Sequence, residues 1–181
     1  MHHTGFPAAW DSTIPLSGRL WLPVLTGLGL GIVAVISDLI TQSSVILAQV
    51  LGSQFNVAFP GSVFASVGGS VIWEAFFLII PLPILLWIIS NVVLRGRGQT
   101  QTFWVLAVIS ALSEPALQGG GLMVIANGAI GIPAFAAYVV PGFALNFAAA
   151  VYFRWYGLLA AVLVRLAYYV IWHVGYGFFT Q

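Results

Sequence analysis

The sequence has no cysteine and no lysine, and only four of its 181 residues are acidic. Without cysteine there are no disulfides and no thiolate metal centre. Without lysine, and with a net charge of +1, there is no polybasic segment for nucleic acid. Charged residues make up 5% of the chain, where soluble domains hold about a quarter. What fills the gap is apolar: 61% hydrophobic residues, 14% aromatics and a mean hydropathy of +1.06. This composition defines an all-α polytopic transmembrane bundle, read as one integral membrane domain over residues 1–181, with lipids as its surroundings.

About 20 apolar residues cross roughly 30 Å of hydrocarbon, and runs of that kind lie at 20–40, 71–93, 103–126, 133–153 and 158–179. The stretch 42–59, "QSSVILAQVLGSQFNVAF", is too polar for an independent span. It reads as a continuation of the first helix or an interfacial segment, and six spans result only if it crosses. The first span is longer than a signal-peptide core and lacks a small-x-small cleavage site, so it is expected to be retained. "LRGRGQTQT" at 94–102 is the one clear polar linker.

Five spans place Arg19, Arg95, Arg97 and Arg154 on one side, which arginine bias makes cytoplasmic. The N-terminus and 94–102 then face the cytoplasm and the C-terminus lies opposite. Trp10, Trp21, Trp155 and Tyr156 fit an interfacial aromatic belt. His2 and His3 carry no metal reading.

Ionisable and strongly polar side chains at bilayer depth cost several kcal/mol unless they face the bundle interior and find partners. Six draw attention: Asp38, Glu74, Glu114, Asn146, Arg165 and His173. At about 1.5 Å per residue, Asn146, Arg165 and Glu114 fall ~10, ~12 and ~16 Å from the arginine-bearing end, and His173 ~24 Å. Asp38 and Glu74 fall near the outer ends, where contact with water accounts for them. Residues four apart share a helix face, so Ser110, Glu114 and Gln118 form one polar stripe and Arg165, Tyr169 and His173 another. Gly142, Asn146 and Ala150 make a small-polar-small face suited to close helix approach.

Two readings of this cluster stand side by side. In one, Glu114 is a base, or holds water or a metal, with Arg165 and His173 assisting. In the other, Glu114 and Arg165 neutralise each other while Gln118, Tyr169 and Asn146 meet the remaining hydrogen-bonding demand. A third possibility attaches to His173 alone: amid "YYVIWHVGYGFF" an imidazole is suited to ligate haem or the magnesium of a chlorin.

"LSEPALQGG" at 112–120 resembles the first motif of the CPBP family, the CAAX prenyl endopeptidase and bacteriocin-processing (Abi-like) membrane proteins. That motif is a Glu-Glu pair followed after three residues by Arg, then often Gly. "YFRWYGLLAAVLVRLAYYVIWHV" at 152–174 is similar to the family's closing helix, and the likeness covers roughly residues 103–177. The resemblance implies a membrane bundle in which paired Glu and His residues activate water for intramembrane proteolysis, here with Glu114, His173 and Asn127 as catalytic residues. The motifs depart from the pattern: Ser113 replaces the first Glu, Gln118 the Arg, and Met123 and Asn127 the Phe and His of a second motif. Arg165 stands at the closing-helix His and Tyr169 at the following Asn or Asp. An arginine there repels a metal and holds Glu114 ionised. The expectation is a CPBP-like fold that has lost its chemistry and serves as an accessory or scaffold subunit beside other membrane protein subunits. An active glutamate-dependent protease is the alternative.

Overall fold

The computed structural model describes residues 5–8, 11–52, 57–127 and 131–179. His2, His3, Trp10 and Gln181 lie outside the described residues. Among the described residues, five helices are long and apolar enough to cross a membrane: α1 (Ser17–Thr41), α3 (Gly61–Val93), α4 (Gln99–Ala126), α5 (Ile132–Tyr156) and α6 (Leu158–Phe179). Between the first two sits a short α2 (Ser43–Leu51). No strand occurs among the described residues. The protein is an all-α integral membrane bundle.

Gln42 breaks the chain after α1 by adopting the left-handed conformation at φ 54°. At ~14 Å, the nine residues of α2 reach less than half the hydrocarbon thickness. The segment after α1 is thus neither a continuation of that helix nor a span. It folds back so that Ser43, Ser44 and Leu47 are buried, against α4 and α5.

The α3 helix begins ten residues before the apolar run that marks its span. Its first turns are "GSVFASVGGS", whose serines and glycines depress local hydropathy while placing Ser62, Ser66 and Ser70 on one buried stripe. Glu74 continues that stripe. It lies ~20 Å into the helix, with no exposed surface, and the expectation of water contact at a helix end is corrected. Asp38 is corrected likewise. It is 2% exposed, because α2 folds over it: the Ser44 N–H and the Ser43 and Ser44 hydroxyls donate to its carboxylate, as does the Tyr176 hydroxyl from α6.

The most extensive packing joins α1 to α6. Gly27 makes this contact possible, since a Cβ there would stand 2.2 Å from the Val164 carbonyl oxygen. Gly31, a turn further along α1, gives Ile171 the same close approach. Small residues at such crossings let apolar helices gain dispersion contacts that lipid does not supply. A second core joins Leu78, Leu82 and Leu86 of α3 to Phe103 and Ala107 of α4 and Phe153 of α5. Phe6 caps it, stacked on Phe153 at 4.5 Å. The Arg154 guanidinium lies 5.4 Å from the ring centres of both Phe6 and Phe103. These contacts gather the N-terminal segment, the start of α4 and the end of α5 at one end of the bundle. Outward positions carry large apolar side chains such as Phe64, Phe76, Leu117 and Val124, as a lipid-facing surface requires. Trp21 and Trp155 are exposed.

Candidate functional site

Pro115 and Pro81 interrupt helices near the centre, and each removes a backbone donor. Pro115 leaves the Ala111 carbonyl of α4 without its i+4 N–H. The Asn146 side-chain amide of α5 supplies the replacement, with Nδ2 3.3 Å from that oxygen. Pro81 does the same to Phe77 in α3, and here the Ser110 hydroxyl of α4 donates to the stranded carbonyl. In hydrocarbon a neighbouring side chain must satisfy such a group. Two members of the polar set therefore hold proline-broken backbones together. Next to Glu74 the chain widens into a π turn over Ala75–Ile79; a second, Val170–Tyr176, carries His173.

Arg165 is the hub, 1% exposed and central in α6. A guanidinium has five N–H donors in a rigid plane, and all five are taken. Nε donates to Glu74 Oε1 at 2.7 Å. Nη1 donates to Glu114 Oε1 at 3.0 Å and to the Tyr169 hydroxyl at 3.1 Å. Nη2 donates to Glu114 Oε2 at 2.8 Å and to Asn146 Oδ1. Glu114 is thus gripped bidentately, the strongest geometry open to a carboxylate. Gln118 Nε2 adds a contact to Glu114 Oε1 at 3.3 Å, and the Tyr138 hydroxyl donates to Gln118 Oε1. Ser113 turns back to the Ser110 carbonyl.

Two carboxyl groups, Glu74 and Glu114, share a single arginine in this knot. Glu74 Oε2 is buried without a hydrogen-bond partner among the described residues. Glu74 is the member that the sequence placed among the candidates but assigned to water contact instead of to this cluster. Its signal was the i, i+4 series Ser62, Ser66, Ser70, Glu74, a polar stripe on a helix whose start the hydropathy window cut away.

Beside the knot lies a cavity of about 270 Å³. Its lining includes Glu114, Gln118, Asn146 and Arg165, the aromatic side chains of Trp73, Tyr138, Tyr168, Tyr169 and Trp172, His173, and Ser43 and Ser44 of α2. A second cavity of about 180 Å³, bordered by Ser62 and Ser66, shares Trp73, Tyr169 and His173 with the first. His173 packs edge-on against Tyr169, with ring centres 4.7 Å apart.

The structure thus joins Ser110, Ser113, Glu114, Gln118, Asn146, Arg165 and Tyr169 into one region, with His173 on the same cavity. Asn127 is not brought there. It ends α4 in the left-handed conformation at φ 47°, exposed, and ~20 Å along the helix from Glu114. Among the described residues no three His, Asp or Glu side chains converge as a metal-ligand set. Comparison with protein-family models, curated proteins and solved structures finds no match.

Proposed function

We propose that the protein is a non-catalytic, CPBP-like membrane bundle acting as a scaffold or accessory subunit beside other membrane proteins, its arginine-bearing end cytoplasmic. The observation that carries this reading is the saturation of Arg165. A general base must be within reach of a water and free to take its proton. Glu114 instead accepts two hydrogen bonds from a cation that shares the bilayer interior with it, and that cation stands at the position where the resembling family has histidine. Buried ion pairs of this kind fix one helix arrangement over others, which suits a scaffold whose helices must keep a defined surface.

The protease reading has one observation in its favour: His173 and Glu114 line the same cavity. The test is cleavage of a fluorogenic transmembrane peptide by the purified protein in nanodiscs. The scaffold reading expects no turnover that Glu114→Gln abolishes. Turnover by the wild type together with a dead Glu114→Gln variant overturns it.

A further inference from the structure

We propose that the 270 Å³ cavity is a binding site for a small organic cation, a primary ammonium group carried on a short apolar or aromatic body. The argument turns on which hydrogen-bonding capacity remains unused. Arg165 is the only arginine among the described residues that line the cavity, and its five donors are all engaged. An anion would have to break one of these bonds to be held. The acceptor side is not full. Glu114 Oε2 receives one bond, from Arg165 Nη2, where a carboxylate oxygen can accept two.

The acid-to-base ratio points the same way. Two carboxyl groups share one guanidinium, so the knot carries more acceptor oxygens than the arginine can fill. A ligand ammonium beside Glu114 supplies further donors. The walls complete the fit, because Trp73, Tyr138, Tyr168, Tyr169 and Trp172 line the cavity, and aromatic faces attract cations most strongly when water is excluded. The volume lies just under the range of about 300–1,000 Å³ for drug-sized ligands, so the occupant is small. The ammonium of an ethanolamine lipid headgroup and that of a free amine share this chemistry.

The test uses the full chain in phosphatidylcholine nanodiscs at pH 7, with 2-phenylethylammonium as probe and 2-phenylethanol and 3-phenylpropanoate as neutral and anionic counterparts. Thermal shift and tryptophan fluorescence report binding. The cation is expected to raise Tm by several degrees with saturation. The alcohol should bind weaker by about tenfold or more, and the carboxylate not at all. Ala137→Phe adds a large side chain to the cavity wall on α5, and should abolish the cation's effect while the protein stays folded. Nanodiscs of phosphatidylethanolamine separate the sources: loss of the probe's effect there identifies the headgroup as occupant, and its persistence identifies a free amine. Equal shifts from all three probes, stronger binding of the carboxylate, or an undiminished response in a folded Ala137→Phe variant overturns the proposal. Proteolysis and amine binding are read in separate assays, so failure of one reading is distinct from failure of the other.

Discussion

Removing Arg165 should do far more harm than removing either of its acidic partners. Arg165→Leu leaves Glu74 and Glu114, 0% and 7% exposed, facing each other with no cation between them. Stranding one buried charge costs ~3–5 kcal/mol, so two bring the loss to ~6 kcal/mol or more. That matches the whole stability of many folded proteins, about 5–15 kcal/mol. Glu114→Leu is different, because Arg165 still meets Glu74 one against one at 2.7 Å. Its cost is that of two charge-assisted hydrogen bonds, ~3–4 kcal/mol. Glu74→Leu keeps the bidentate Arg165–Glu114 contact and removes an oxygen that had no partner, for ~1.5–2 kcal/mol. Adding Glu114→Leu to Arg165→Leu should recover some of the loss, and the triple Glu74→Leu/Glu114→Leu/Arg165→Leu variant most of it, since the stranded charges disappear with the attraction. Equilibrium unfolding of these variants in mixed micelles measures the order and the coupling. Equal costs for Glu114→Leu and Arg165→Leu, or additive effects throughout, would refute the reasoning.

Other consequences are equally concrete. Pro115→Ala restores an N–H to the Ala111 carbonyl, so Asn146→Ala should cost ~1 kcal/mol less in that background than in the wild type, as thermal melts of the four variants would show. Gly27→Ala, whose new Cβ meets the Val164 carbonyl oxygen at 2.2 Å, should destabilise the α1–α6 crossing by ~1–3 kcal/mol. Gly29→Ala, with nothing within 4 Å, should stabilise the helix by ~0.5–1 kcal/mol. Because the chain has no native cysteine, Thr100→Cys and Phe179→Cys can be labelled singly. The five-helix bundle requires the two to react from opposite sides of the membrane.

The long apolar runs made the five crossing helices legible, and the four-residue spacing made Glu114 and Arg165 facing partners at similar depth. Three features were not legible, each for a physical reason. The place of Glu74 in the cluster was hidden because a hydropathy window scores Ser and Gly as polar, whereas in α3 those residues form a buried stripe. The pairing of Ser110 with Phe77 and of Asn146 with Ala111 follows from the prolines, but which side chain repairs which carbonyl depends on how separate helices pack. Asp38 lies at a helix end, where water is the ordinary partner, and only the turn at Gln42 brings Ser43 and Ser44 over it. Asn127 shows the converse. Motif spacing brought it into the catalytic set, yet α4 ends there and carries it away from Glu114.

The central claim is that Arg165 is held on all five donors by Glu74, Glu114, Asn146 and Tyr169. Nitrogen-15 NMR of the arginine side chains in nanodiscs tests it most directly. With five arginines and no lysine in the chain, Arg165→Lys assigns the signal by its loss. A saturated guanidinium predicts separately resolved Nη protons, slow to exchange with water, with magnetisation transfer to the side-chain carboxyl carbons of both Glu74 and Glu114. A single averaged Nη resonance in fast exchange, with no transfer to either carboxylate, would contradict the account.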